Sequence, residues 1–306
     1  MGGRPQPDAS SFAASQDIIV VAVQYRLGAF GFPGFLAELG PEGQNPGFRD
    51  QKLALQWVQA NIAAFGGDPA KVTIMGESGG GVSVDGLLIS SGGDKVPLFR
   101  AAIAMSGSLH TFNSGIVGGV GSYMTGLGVG NIAGEAPLVT LGKKNGCTTA
   151  ESVVKCLRAK SGAELKSAIS KAQLLFAPVE DGGKTNYMDS DTARLTGKIA
   201  KVPVMLGATF QEAQGFVGRL GDRTVEDWAR IIYPSNTTAQ NAVAAAYALG
   251  KGLKTASGAI LQLHSDYQFQ CIEAHDATIM ARANIRKSRH LVVLSSLHCG
   301  TLKRLY

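Results

Sequence analysis

The residue best suited to covalent chemistry is Ser78, at the centre of the sequence Gly-Glu-Ser-Gly-Gly over residues 76–80. The apolar and β-branched residues 72–75 predict a buried strand, and the residues that follow the motif are compatible with a helix. A Gly-x-Ser-x-Gly motif in that context is typical of a nucleophile elbow, a sharp turn that lifts the serine hydroxyl clear of a sheet. We expect a side chain at Gly76 or at Gly80 to collide with neighbouring backbone in so tight a turn. An ordinary loop serine is the alternative, because 40 of the 306 residues are glycine.

Other segments predict the elements that would hold this turn in place. Residues 17–25 form a continuous apolar, β-branched run, the pattern of a strand covered on both faces. Residues 99–105 and 201–207 predict two further strands. A helix over residues 50–65 would join the first strand to the strand before Ser78, because apolar residues recur there at helical spacing: Leu53, Trp57, Val58, Ile62 and Phe65. In a mostly parallel sheet, ligands bind at the carboxyl ends of the strands, where this serine would lie.

The composition is that of a globular chain with a sizeable core, since 45% of the 306 residues are hydrophobic and 17% are charged. We find no internal repeat and no linker, so a single domain is expected over residues 1–306. No long apolar run predicts a membrane span, and the first residues do not resemble a signal peptide. Helical patterns cover residues 151–174 and 222–249. Residues 113–134 contain eight glycines and no charged residue and predict a mobile loop near the site.

The net charge of +6 comes from one end of the chain. Residues 277–306 contain six cations and no acidic residue, which leaves 23 basic and 23 acidic residues in the rest of the chain. A nucleic-acid partner requires a basic face or groove, so this distribution argues against one. Residues 282–306 are expected to form an atypical basic tail.

The four cysteines, Cys147, Cys156, Cys271 and Cys299, match none of the usual zinc spacings, so no metal site is expected. A disulfide between Cys147 and Cys156 would close a short loop, and we favour it over two unpaired core thiols. Such a bond indicates an oxidising, secretory compartment. The Asn-x-Thr sequon at residues 236–238 agrees with that location.

Serine chemistry needs two further groups. The hydroxyl is inert at neutral pH unless a base takes its proton, and the base needs an acid that holds its tautomer. In elbow folds the acid follows the serine in the chain, and a histidine follows the acid. The residues after Ser78 must therefore supply both groups.

Six stretches of the chain match signature sequences of one known family: residues 25–32, 50–62, 65–69, 76–80, 99–108 and 147–158. Together they resemble the type-B carboxylesterase and lipase family, which includes cholinesterases, from about residue 17 to about residue 281. The resemblance implies an α/β-hydrolase fold, with a mostly parallel central sheet flanked by helices and incomplete at its N- and C-termini. It also implies the disulfide between Cys147 and Cys156, and it pairs Arg26 with Asp50 as a buried ion pair that braces the site.

The resemblance assigns roles to individual residues. Glu212 follows a predicted strand and matches the acid position, the alternative being a solvated loop glutamate. His298 is the candidate base, and the alternative is a histidine in a non-native tail. Gly79 would donate one backbone N–H to the oxyanion, whereas Gly2 and Gly3 are what remains of the glycine-rich loop that supplies the other donors.

These observations predict a carboxylic ester hydrolase that acts through an acyl-enzyme on a small-molecule or lipid ester, without metal or organic cofactor. The full-length parent would be secreted. We hypothesise that the chain is a truncated or mispredicted gene product, with the basic tail translated through an intron or out of frame and activity impaired. The alternative function is an inactive esterase homologue or fragment with a binding role.

Overall fold

The structure, a computed structural model, describes residues 8–109, 135–148, 152–179, 190–216, 222–250 and 252–282. Within these ranges one parallel sheet is formed, with the strand order β1 (Thr73–Glu77), β2 (Ala101–Met105) and β3 (Val204–Gly207). The register places Glu77 opposite Met105, and Met105 opposite Gly207. All three strands therefore end at the same edge of the sheet. These strands confirm three of the four predicted from the sequence.

Helices account for most of the other regular structure in the described residues. The α-helices are α1 (Ser10–Gln16), α2 (Gly28–Gly31), α3 (Pro46–Asn61), α4 (Gly79–Ser90), α5 (Pro137–Lys144), α6 (Val153–Arg158), α7 (Gly162–Ala172), α8 (Ser190–Leu195), α9 (Val225–Ile232), α10 (Thr237–Ala246), α11 (Ala256–Ser265) and α12 (Cys271–Arg282). Short 3-10 helices cover Ala37–Leu39, Pro41–Gly43, Ile62–Phe65, Pro69–Lys71 and Glu212–Phe216, and a π-helical turn covers Asp266–Gln270. None of the helices in the described ranges has the length and apolar character that crossing a bilayer requires.

The predicted helices are confirmed, with local sequence fixing their ends. Ser161 and Glu164 form a capping box at the start of α7, which satisfies two amides that the first turn leaves without partners. Asn236 caps α10 by accepting a hydrogen bond from the Ala239 amide at 2.9 Å. The predicted mobile loop over residues 113–134 and the basic tail beyond Arg282 lie outside the described residues.

The main core lies between the sheet and four helices, α3, α4, α8 and α12. Leu88 of α4 and Ala102 of β2 are each 1% exposed, and burial of one leucine side chain contributes about 1.5–3 kcal/mol. A second cluster joins α9, α10 and α11 around Trp228. The third cluster surrounds the bond between Cys147 and Cys156, which confirms the predicted disulfide.

A buried ion cluster ties three helices of the main core together. Arg194 of α8 lies with its Nη2 atom 2.5 Å from Asp85 Oδ2 on α4 and 3.3 Å from Asp276 Oδ2 on α12. The side chains of all three residues are at most 4% exposed. Asp85 also accepts a hydrogen bond from the Leu109 amide at 2.8 Å, which anchors the chain after β2. Removal of the guanidinium would leave two carboxylates buried without compensation.

The helix predicted over residues 50–65 is present as α3 and the following 3-10 turn, but its buried face was predicted only in part. Leu53 and Trp57 are 64% and 48% exposed, and Phe65 is also exposed. The buried stripe instead follows positions three and four residues apart: Phe48, Gln51, Leu55, Val58 and Ile62. The apolar pattern missed part of this stripe because one of its residues is polar. Gln51 is buried there, and its Nε2 atom donates to Ser83 Oγ at 3.0 Å.

The strand predicted over residues 17–25 is wrong. Residues 18–27 form no regular element, and the side chains from Ile18 to Val21 are between 40% and 45% exposed. A strand is held by hydrogen bonds to a neighbour, and among the described residues β1 pairs only with β2. Apolar pattern without a pairing partner does not make a strand, so the predicted strand-helix-strand unit around α3 is absent from the described chain.

Candidate active site

The chain turns from β1 into α4 at Ser78, with φ at 54° and ψ at −119°. A non-glycine residue in this region of backbone space costs about 1–3 kcal/mol and is typical of functional sites. Gly76 makes the turn possible, because a Cβ there would lie 2.2 Å from the Gly80 carbonyl oxygen. The expected collision at Gly80 itself is wrong, since a Cβ at that position would meet nothing within 4 Å. A side chain on Gly80 would point into open space.

Backbone contacts from the end of β2 hold the elbow in this strained conformation. The Ser78 amide donates to the Met105 carbonyl at 2.9 Å, and the Ser78 carbonyl accepts from the Val82 amide at 3.0 Å. Gly107 packs so closely that a Cβ there would lie 2.4 Å from the Ser78 carbonyl oxygen. The turn after β2 therefore supports the turn after β1.

Gly79 is the first residue of α4, and the first amides of a helix have no acceptor within the helix. Its N–H is therefore suited to an anion beside Ser78, as expected for an oxyanion donor. The Gly79 carbonyl accepts from Ser83 Oγ at 3.0 Å, and that hydroxyl in turn accepts from Gln51. This relay fixes the first turn of α4 against α3. Gly2 and Gly3, the other predicted donors, lie outside the described residues.

Glu212 follows β3 as the first residue of a 3-10 helix, and its Oε1 atom accepts two hydrogen bonds. Ser106 Oγ donates to it at 2.6 Å, and the Thr209 amide donates at 2.5 Å. The surrounding loop is anchored as well, because Gln270 Nε2 donates to the carbonyls of Thr209 and Phe210 at 2.9 Å and 2.8 Å. These contacts favour a held carboxylate over a solvated loop glutamate.

Ser78 and Glu212 lie at the same edge of the sheet, after strands separated by β2. Two strand spacings amount to about 10 Å, too far for a direct hydrogen bond between nucleophile and acid. An imidazole with a hydrogen bond on each ring nitrogen spans a gap of this order. The arrangement therefore suits a triad in which a histidine lies between the two residues.

The predicted base, His298, lies outside the described residues. Two described histidines belong to other surroundings. His264 packs edge-on against Trp228 with the ring centroids 4.4 Å apart, and burial lowers its pKa to about 3, so it stays neutral. His275 has its Nε2 atom 3.3 Å from Asp191 Oδ2.

Ser106 and Glu273 are two residues near the acid whose roles the sequence did not reveal. Ser106 has a φ of 53°, and this left-handed backbone accompanies the bond from its hydroxyl to Glu212. Its position directly after a predicted parallel strand was the available signal. Glu273 lies on α12 and is 2% exposed, and the charge of Glu212 acts on it. No pattern in the sequence distinguishes it from the other acidic residues.

The predicted pair between Arg26 and Asp50 is present, but it is not buried. Two hydrogen bonds of 2.7 Å join the guanidinium to the two carboxylate oxygens, and the Arg26 amide donates to the same carboxylate at 3.0 Å. The Arg26 side chain remains 54% exposed because residues 18–27 are not covered by a neighbouring strand. Hydrogen bonding to Arg26 lowers the pKa of Asp50.

A parallel sheet with a glycine-assisted serine elbow at its carboxyl edge is typical of the α/β-hydrolase fold. The carboxylesterase family model matches residues 1–284, and the chain belongs to this family. Both findings confirm the resemblance and the fold class inferred from the sequence. Among the described residues, no group of three or more His, Cys, Asp or Glu side chains is arranged to hold a metal ion.

Several characterised proteins are similar to this chain. It is 37% identical over 225 residues to Lipase 5 of Diutina rugosa, which covers 68% of this chain and 37% of that protein. It is 35% identical over 251 residues to Secreted lipase 1 of Botryotinia fuckeliana, covering 76% of this chain and 40% of the relative. The mouse cholinesterase is 34% identical over 228 residues, which is 70% of this chain and 34% of that enzyme. Each alignment thus spans 40% or less of the relative's length.

Proposed function

We propose that this protein hydrolyses carboxylic esters through a covalent acyl-enzyme formed on Ser78. The observation that carries the proposal is the elbow itself, in which a strained serine follows β1. A hydrogen-bonded carboxylate, Glu212, follows β3 at the same edge of the sheet. A serine held at positive φ costs stability, and a binding surface has no need of it. Membership of the carboxylesterase family supports the same reaction class.

In the proposed mechanism, Ser78 Oγ attacks the ester carbonyl while His298 accepts its proton. The carbonyl oxygen becomes an oxyanion that accepts hydrogen bonds from the Gly79 N–H and from N–H groups of the Gly2 and Gly3 segment. The imidazolium returns the proton to the leaving alcohol, and water then releases the acid by the same steps. Glu212 holds the imidazole tautomer and stabilises the imidazolium.

The substrate class is a small-molecule or lipid ester, and the location of the parent protein is extracellular. The names of the relatives support this reading, since they include a secreted lipase, a secreted triacylglycerol lipase and a cholinesterase. The bond between Cys147 and Cys156 agrees with an oxidising compartment.

Hydrolysis of p-nitrophenyl esters of short and medium chain length tests the proposal. Ser78→Ala removes the nucleophile and keeps a non-glycine residue at the positive φ of the turn. The rate should fall by about a thousandfold or more. Glu212→Gln keeps the shape of the side chain but removes its charge, and kcat should fall by about a hundredfold or more with little change in KM. Equal rates for the parent and Ser78→Ala would refute the proposed function.

A matched control is available on another element. Glu226→Gln makes the same chemical change on the exposed face of α9 and should leave the rate unchanged. If Glu226→Gln and Glu212→Gln lowered kcat equally, the loss would reflect general destabilisation, and Glu212 would have no part in the reaction.

A further inference from the structure

Glu273 is a buried carboxyl group to which the proposed mechanism gives no role. It lies in the first turn of α12 and is 2% exposed. Among the described residues, neither of its carboxyl oxygens has a hydrogen-bond partner. Because an ionised carboxylate in such a place is costly, an unpaired one in a native structure needs an explanation.

The surroundings of Glu273 belong to the candidate active site. The Glu212 charge acts on it from the loop after β3, and Asp276 acts on it from its own helix. The backbone amides of Ser106 and Gly107 point towards the carboxyl without reaching normal hydrogen-bond geometry. The Ser106 amide already donates to the Gly207 carbonyl at 2.8 Å.

The protonation state of Glu273 follows from these neighbours. Burial raises its pKa most, the charges of Glu212 and Asp276 raise it further, and the backbone amides of Gly107 and Ser106 lower it in part. The result is a pKa of about 8. The other charged groups of this region are engaged with one another. Arg194 pairs with Asp276 and Asp85, and His275 on α12 lies next to Asp191. Glu273 is therefore neutral at neutral pH.

The turn formed by Ser106 and Gly107 connects this carboxyl to both proposed reacting groups. The Ser106 hydroxyl donates to Glu212, and Gly107 packs against the Ser78 carbonyl. A charge that appears on Glu273 acts on this turn and on Glu212 at the same time, in a region where water screens poorly.

We propose that Glu273 is a positioning residue of the ester-hydrolase site: in its neutral form it adds no further negative charge to that of Glu212 beside the Ser106–Gly107 turn, and its ionisation inactivates the site. This inference rests on the proposed function. When the carboxyl releases its proton to solvent, the new carboxylate repels Glu212 and competes for the amides of the turn. Both effects disturb the bond from Ser106 that holds the acid.

The test is the pH dependence of the rate at which a fluorophosphonate probe modifies Ser78, measured by peptide mass spectrometry on the whole chain. Above about pH 8 the rate for the parent protein should fall by about tenfold per pH unit, after correction for hydrolysis of the probe. Glu273→Gln should lack this fall when each rate is normalised to the same protein at about pH 7. Glu226→Gln, with its exposed side chain, should keep the fall.

The outcomes separate this inference from the function on which it rests. Absence of modification at Ser78 at every pH would refute the proposed function and this inference with it. Modification with the same alkaline fall in the parent and in Glu273→Gln would refute the inference alone. If Glu273→Gln does not melt cooperatively, Glu273→Met provides a second neutral variant. A parent rate that keeps rising beyond about pH 9 overturns the inference whatever the variants do.

Discussion

The neutral state of Glu273 makes a prediction about stability that does not depend on catalysis. Its pKa is about 8 in the folded protein against an ordinary value of 4.5. Between these values the folded protein keeps a proton that the unfolded chain releases, so the contribution of Glu273 to the free energy of unfolding falls as pH rises. The fall is about 1.4 kcal/mol per pH unit, or about 4–5 kcal/mol over the whole interval. Above about pH 8 both states have lost the proton, and the contribution becomes constant.

Glu273→Gln has a side chain of the same shape and no proton to lose, so it isolates this effect. Urea unfolding of the parent and the variant is measured at one-unit steps from about pH 5 to about pH 9. The free energy of unfolding of the variant should rise relative to that of the parent by about 1.4 kcal/mol per step up to about pH 8. The difference should then level off. Glu226→Gln should show no such trend, because its side chain is exposed. A difference between Glu273→Gln and the parent that is the same at all pH values would refute the reasoning, since Glu273 would then ionise normally in the fold.

Three further substitutions test how the site is held. Gly76→Ala should prevent cooperative folding, because its Cβ would lie 2.2 Å from the Gly80 carbonyl oxygen. Gly80→Ala should melt like the parent, and equal melting of both variants would contradict the close approach in the elbow. Ser106→Ala should slow probe modification of Ser78 by about tenfold to a hundredfold, which corresponds to about 1.5–3 kcal/mol for a hydrogen bond to a carboxylate. An unchanged rate would mean that Glu212 has no part in the mechanism. Arg194→Met should lower the free energy of unfolding by about 3–5 kcal/mol, whereas Arg230→Met, in an exposed pair, should lower it by less than about 1 kcal/mol. Equal losses in urea unfolding would mean that the buried cluster stabilises the fold no more than an exposed ion pair does.

The central part of the fold could be predicted from the sequence because its strands are short, buried and parallel. The apolar runs before Ser78, Ser106 and Ala208 became β1, β2 and β3, and the register brings their carboxyl ends to one edge. Residues 17–25 have the same apolar pattern and did not form a strand. Composition indicates that a segment can pair, but only the fold shows whether a neighbouring strand is there to pair with it.

The candidate site was predictable where a local motif or the family resemblance marks a residue. The elbow is a five-residue motif, and the resemblance assigns the acid to Glu212 in the segment that follows β3. The bond from Ser106 to Glu212 joins residues 106 positions apart, so no local pattern contains it. Glu273 was missed for a related reason. The inward face of α12 carries Asp276 as well as Glu273, since it faces the buried arginine of α8, and an amphipathic pattern would assign both residues to solvent.

The central claim, that Ser78 is an activated nucleophile, is tested most directly by covalent labelling of the purified protein with a fluorophosphonate probe, using Ser78→Ala as the control. We expect one modified peptide, the one that contains Ser78, and no modification of the variant. Such labelling shows that the elbow is formed and that a base is within reach of the hydroxyl. A protein that melts cooperatively but is not labelled at Ser78 would contradict the account, because the strained serine would then lack the proton acceptor that the mechanism requires.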